Sequence, residues 1–287
     1  MARKLIITAA LIGAALSKKN HPNVPVTPEE MAQAAYECYN EGAAIVHIHG
    51  RDEKGVNTGK TEVYQRIKDL IRAKCNIVIY FTTGGGPELS AEERIGSLDA
   101  YPDMASLDVG TLMRIHGPYK GTTWENPPWQ IEHYAEEMLK RDIKCSIGIF
   151  HPGMYSEVEN LIAKNLLTKP YYINIVLNMP YQGTLRATPD NLLCMINSLP
   201  NHGEDCAFGV TCIGRDQPAY TTMGMCMGGN VRVGFEDNLF YTEGEMAKNN
   251  AQFVARTVRI ARELGLEIAT PDEAKQILGI PPSKARK

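Results

Sequence analysis

No uninterrupted apolar run in the 287 residues approaches the roughly 18 needed to cross a bilayer, so no membrane-spanning helix is expected. The 7 cysteines include no Cys-x-x-Cys pair, and an odd number cannot close a complete disulfide framework; a reduced, cytoplasmic protein is the expectation. Charge of one sign is also missing. The 30 Lys and Arg against 33 Asp and Glu leave a net of -3, which gives no electrostatic reason to expect a nucleic-acid partner. Neither a Walker lysine motif nor a Gly-x-Gly-x-x-Gly fingerprint occurs, so no nucleotide-binding motif is assigned. The opening MARKLIITAALIGAALSKK has the basic start and apolar middle of a secretory leader. Its apolar stretch begins within about five residues, however, and no convincing cleavage site follows, so it reads better as a first strand. No Pro/Gly/Ser-rich linker, low-complexity segment or composition break divides the chain. The expectation is a single domain over 1–287, with a short helical extension from about 270.

What the chain does contain is an alternation. Short β-branched runs occur at 4–11, 43–49, 76–83, 104–110, 145–150, 171–178, 206–214 and 230–237. Amphipathic stretches separate them, including TPEEMAQAAYECYNEG, SAEERIGSL, TPDNLLCMINSL and TEGEMAKNNAQFVARTVRIARELG, in several of which Thr or Ser stands before Pro or acidic residues as at a capped helix start. Eight βα units in about 250 residues fit a (β/α)8 TIM barrel better than an open doubly wound sheet. The TPDEAKQILGI helix and the basic tail PPSKARK lie beyond the eighth unit.

Active sites of such barrels gather where strands end and βα loops begin. His47 and His49 close the second run, and alternation of strand side chains puts both on one face, where two neutral imidazoles can share a metal ion. Thr82, Thr83 and Gly84 to Gly86 close the third; Ser106 and Asp108 stand near the end of the fourth; His151, Asn178 and Arg215 follow the fifth, sixth and seventh. The eighth, VRVGFED, carries Arg232, Glu236 and Asp237. Glu236 is the candidate third ligand, since two histidines and a carboxylate leave one position on a zinc-like ion open to substrate. Asp237 can share that pocket only if the strand has ended or bulged before it. Arg232 shares the parity of Glu236, as a charged pair or a substrate-carboxylate clamp would. The TTGGG stretch reads either as a plain turn or as a loop whose backbone N–H groups hold an anion. The Met and Cys residues of GMCMGGNVRVG read as core, and His151 as a hydrogen-bonded histidine rather than a ligand.

Together VHIHGRD, TTGGG, ASLDVG and GGNVRVGFEDNL, followed by NNAQFV and ATPDEAKQILG, closely resemble the β-keto acid cleavage enzyme family over nearly the whole chain. The resemblance implies a Zn2+-dependent (β/α)8 barrel that condenses a β-keto acid with acetyl-CoA to give acetoacetate and a new acyl-CoA, in a homo-oligomer (tetramer or dimer). Carried over residue by residue, it implies metal ligation by His47, His49 and Glu236 and a catalytic pair of Asp237 and Arg232. Thr83 would be a substrate-binding hydroxyl, with Gly84, Gly85, Ser106 and Ala15 also at the substrate. Two departures stand out. The family's type member has a glutamate where this chain has Ala15, and relatives carry strand-five glutamates absent from CSIGIFHPG. Without those carboxylates a buried cationic tail would lack compensation, so a neutral, apolar or anionic β-keto acid is expected. The competing readings are a metal-dependent hydrolase on the same barrel and a metal-binding homologue without turnover.

Overall fold

The computed structural model describes residues 3–282, so the end of the basic tail, 283–287, lies outside the described residues. Eight strands are the wall of the molecule: β1 (Ile7–Ala10), β2 (Ile45–Ile48), β3 (Val78–Phe81), β4 (Met104–Asp108), β5 (Lys144–Ile149), β6 (Tyr171–Leu177), β7 (Cys206–Cys212) and β8 (Asn230–Val233). All pair in parallel with their sequence neighbours, and β8 closes on β1 through Val231↔Ile7, which makes the fold a (β/α)8 barrel. Each strand falls within or next to one of the β-branched runs.

The helices are α1 (Pro28–Asn40), α2 (Thr61–Arg72), α3 (Ala91–Ile95), α4 (Pro128–Lys140), α5 (Tyr155–Ala163), α6 (Pro189–Asn197), α7 (Gln217–Cys226), α8 (Asn250–Glu263) and α9 (Pro271–Leu278). Their starts follow the capping chemistry of the sequence. Thr27 with Glu30, Ser90 with Glu93 and Thr270 with Glu273 each form a reciprocal capping box. Outward strand residues such as Ile7, Ile79 and Val231 bury against this helical ring, whereas alternate residues fill the barrel. At the N-terminal end that filling is apolar: Ile6, Ile45, Val78, Met104 and Tyr172 pack with Ala274 and Leu278 of α9. The C-terminal helix is therefore the floor of the barrel, and polar residues are left to the opposite mouth.

The structure corrects two boundaries. The last unit was expected to be helical from TEGEM onward, but Phe240–Thr242 and Glu245–Met246 form an antiparallel hairpin turning at Gly244. The helix begins only at Asn250, where the Asn249 side chain accepts from the Gln252 N–H at 3.0 Å. The eighth strand, expected to reach 237, ends at Val233. Gly234 has φ +139°, and a side chain there would place a Cβ 2.2 Å from the Ala10 carbonyl, so the chain can turn only because this residue is glycine. Three short segments had no sequence signal: Leu112–Arg114 pairs antiparallel with both Thr123–Trp124 and Tyr181–Gln182. Among the described residues no helix is long and apolar enough to cross a membrane.

Candidate active site

The turn at Gly234 is what assembles the polar mouth. Beyond it Glu236 donates its backbone N–H to Ala10 O at 3.2 Å, while Asp237 N–H returns to Gly234 O at 3.1 Å, so neither residue keeps strand alternation. Glu236 and Asp237 therefore line the same cavity, together with His47, His49 and Arg232. Gly13 gives the Glu236 side chain its space, since a Cβ there would stand 2.6 Å from Glu236 Cγ. Arg51 of the HGRD motif is buried and donates to the carbonyls of Gly13 and Leu16, which fixes that loop.

The two histidines of β2 do point one way. His47 Nε2 lies 3.5 Å from Glu236 Oε2 and His49 Nε2 lies 3.4 Å from Glu236 Oε1. The candidate ligand atoms of these three residues all lie within 4.8 Å of one another. Ligands about 2.1 Å from a tetrahedral ion stand roughly 3.4 Å apart, close to the two histidine–carboxylate distances, which are long for direct hydrogen bonds. Their protonation suits a cation equally. Burial pushes the His47 imidazole down to about 4 against the pull of Glu236, so it is neutral. Burial works against ionised Glu236, but Arg232 and the two imidazoles hold its carboxyl well below the usual range. Glu236 Oε2, the oxygen nearest His47 Nε2, is buried without a hydrogen-bond partner. Buried polar atoms are seldom left so, and the set fits a zinc-like ion bound by two imidazoles and a carboxylate.

Arg232 grips the acids beside this cluster. Its Nε donates to Asp237 Oδ2 at 2.9 Å, and its Nη2 donates to Asp237 Oδ1 and Glu236 Oε1, both at 2.6 Å. Burial lifts the Asp237 carboxyl to about 6 although Arg232 opposes the shift. A carboxylate held in a fixed bidentate orientation next to a cation site has the attributes of a general base.

Of the remaining expected residues, Gly84, Gly85, Ser106 and Ala15 border the cavity, Ala15 from its exposed rim. Thr83 differs: its Oγ1 donates to Ser106 O at 2.7 Å and its N–H donates to Ser106 Oγ at 2.9 Å, so the hydroxyl is committed to the neighbouring strand, and Thr82 lines the cavity instead. Asn178 is occupied with Asp216 and Ala187, and Arg215 is exposed beside Glu243; both stay outside the cavity, as does His151. The sequence offered no role for Tyr80, whose ring stacks 4.2 Å from that of His47, although its even position in β3 matched the inward face. Nor did it mark Arg114, Trp124 and Tyr181, which reach the cavity from the three short segments. The absence of a strand-five carboxylate also has a structural counterpart. Asp108 of β4 is paired in register with Gly148 of β5, and a Cβ on Gly148 would stand 2.1 Å from Asp108 Oδ1. The aspartate thus fills the space that a strand-five side chain would take. Burial raises its carboxyl against Arg94, Arg232 and His49.

Comparison with known proteins follows this geometry. A family model described as beta-keto acid cleavage enzyme matches residues 4–280. The chain is 37% identical over 281 residues to a 3-keto-5-aminohexanoate cleavage enzyme of Fusobacterium nucleatum subsp. nucleatum, covering 98% of this chain and 99% of that protein. It is 31% identical over 303 residues to the 3-dehydrocarnitine:acetyl-CoA trimethylamine transferase of Rhizobium meliloti, covering 97% of each. Among solved structures, ObcA in its binary complex with oxaloacetate superposes with a TM-score of 0.74 at 15% identity, over 91% of this chain and 68% of that one, a likeness of fold.

Proposed function

Because this chain belongs to the beta-keto acid cleavage enzyme family, we propose that it converts a β-keto acid and acetyl-CoA into acetoacetate and a new acyl-CoA, with His47, His49 and Glu236 holding a divalent cation. One observation carries the reading: that cluster and the Arg232–Asp237 pair open into the same cavity at the C-terminal mouth of the barrel. A cation such as Zn2+ held there supplies electrophilic pull on the ketone and carboxylate oxygens of a β-keto acid, which lowers the cost of enolate formation. Asp237 takes the proton from the carbon between those groups, and Arg232 keeps its carboxylate aimed. The carbanion bonds to the acetyl carbonyl carbon and CoA thiolate leaves. The thiolate then adds to the substrate's own ketone carbon, the bond between that carbon and the former carbanion breaks with its electron pair on the latter, and Asp237 returns its proton there, so that acetoacetate departs from the new acyl-CoA. Gly84, Gly85 and Ser106 bound the space beside these groups, and Ser106 fixes Thr83 rather than leaving its hydroxyl free for substrate.

The same reading takes the cation to be Zn2+ and the compartment to be the reducing cytoplasm, supported by the donor set and by 7 cysteines that are all free thiols. It also takes the working form to be a homo-oligomer, for which exposed Trp129 of α4 offers apolar surface. The test is acetoacetate formation from neutral, anionic and cationic β-keto acids with Zn2+, with and without acetyl-CoA. Turnover strictly dependent on the thioester is expected. Equal turnover without it would make the protein a hydrolase, and none under any condition would make it a binding protein.

A further inference from the structure

The charge inside the cavity is unevenly satisfied. Arg232 is neutralised by Asp237 and Glu236. Asp108 has the guanidiniums of Arg94 and Arg232 among its charged neighbours. Arg114 is the exception. It lines the cavity, is 2% exposed, and forms no ion pair with a carboxylate among the described residues. Its Nη1 donates to Thr122 Oγ1 at 3.1 Å and Thr123 O at 2.9 Å, and its Nη2 makes only a long 3.4 Å contact to Gly85 O. Its Nε is buried with no acceptor, while the Tyr181 hydroxyl sits against the guanidinium.

A guanidinium stays charged at any relevant pH, and burying it without a counter-ion costs free energy that neutral carbonyls only partly return. Aromatic rings offset some of the cost and hold the group in place: Trp124 lies 4.6 Å, Tyr119 5.6 Å and Tyr181 5.8 Å from the guanidinium carbon. Such a clamp is rigid, because Arg114 and Trp124 sit on paired segments and Tyr181 on the third. Tyr119 also reaches the β1 loop, its hydroxyl donating to Ala14 O at 3.3 Å, and the Gly13 to Leu16 stretch of the cavity wall carries no charged side chain. The cavity thus combines a fixed, unneutralised cation that is no part of the His47–His49–Glu236 cluster with an uncharged wall beside it.

From this the geometry points to Arg114 as a specificity-determining residue that receives a second anionic group on the substrate. Resting on the function proposed above, the substrate class is a β-keto acid with a further carboxylate at the end remote from the reacting carbons. A carboxylate matches the fork of a guanidinium and would supply both the missing counter-charge and an acceptor for Nε. The other anions that enter are the substrate's reacting carboxylate and the phosphates of the thioester, and the experiment separates them.

Acetoacetate formation with acetyl-CoA is measured on three β-keto acids of equal chain length ending in carboxylate, methyl or amine. The wild-type protein is expected to favour the carboxylate-ended acid by about 10- to 100-fold in kcat/KM over the methyl-ended one, the range of a charge-assisted bond pair. In Arg114→Gln that ratio collapses toward one through the KM of the carboxylate-ended acid, and Arg114→Lys restores part of it. A wild-type protein that turns over the methyl- or amine-ended acid as well as the carboxylate-ended one overturns the inference without any variant. Loss on all three acids alike in Arg114→Gln would assign the guanidinium to the shared carboxylate and overturn it, as would a change confined to the KM for acetyl-CoA. Absence of acetoacetate from every acid would instead sink the underlying reaction.

Discussion

Replacing His47 with Ala or Glu236 with Gln removes one donor of a three-residue set, so each variant is expected to lose bound metal after dialysis; stoichiometric zinc retained in both, measured by elemental analysis, would reject the ligand assignment. Asp237→Asn keeps the shape of the carboxylate that Arg232 grips but removes its ability to accept a proton. Metal content should stay at the wild-type level while kcat falls about 10²- to 10⁴-fold, and near-normal turnover would reject Asp237 as the base. A third residue-scale expectation concerns Gly148, whose missing Cβ is the space occupied by Asp108 Oδ1 at 2.1 Å. Gly148→Ala should destabilise the fold by about 1–3 kcal/mol by overpacking. In the background of Asp108→Gly the same change should cost far less, because the clash has been removed; a double-mutant cycle from denaturant titration reads the coupling, and strict additivity would show that the two positions do not compete for space.

Among the elements, α9 makes a claim that exceeds its length. It lies outside the eight βα repeats, yet Leu278 and Ala274 complete the apolar floor with Ile6, Ile45 and Val78. Leu278→Ala is expected to cost about 2–5 kcal/mol, as for a buried leucine in a core, whereas a decorative helix would lose almost nothing. Thr270→Ala should cost about 1 kcal/mol by removing the hydroxyl that accepts the Glu273 N–H at 3.3 Å, one half of the capping box. Thermal or urea unfolding reads both. The hairpin that replaces the first part of the expected last helix follows the same local logic: Asn249 offers a side-chain acceptor to Gln252, so the helix starts where a cap exists.

For the molecule as a whole, a metal ion that binds only the folded barrel must raise its stability. At about 100 times its Kd the gain is about 2.7 kcal/mol, so Zn2+ should raise Tm, a chelator should lower it, and the shift should vanish in His47→Ala. An unchanged Tm in the wild-type protein across the same range would argue against a folded-state site. Much of this architecture is legible in the chain. Strand and helix periods of two and 3.6 residues are local, as are Thr-Pro and Ser-acidic helix starts, and they locate the eight units before any contact is known. His-x-His and VRVGFED are also local, so the His47, His49 and Glu236 cluster and the Arg232–Asp237 pair could be anticipated from the sequence. Other features required the closed barrel. The turn at Gly234 depends on the Ala10 carbonyl across the β8–β1 seam, and it alone lets Glu236 and Asp237 share one cavity. Thr83 turns to Ser106, Asp108 enters the space of Gly148, and Arg114 meets Trp124 and Tyr181 only because strand register and segment pairing bring distant stretches together. The sequence by itself determined the barrel and the residues proposed to hold a metal, because both are written in short-range patterns. Tertiary structure decided the shape and charge of the cavity around Arg114, because those depend on contacts between residues far apart along the chain that no local period encodes.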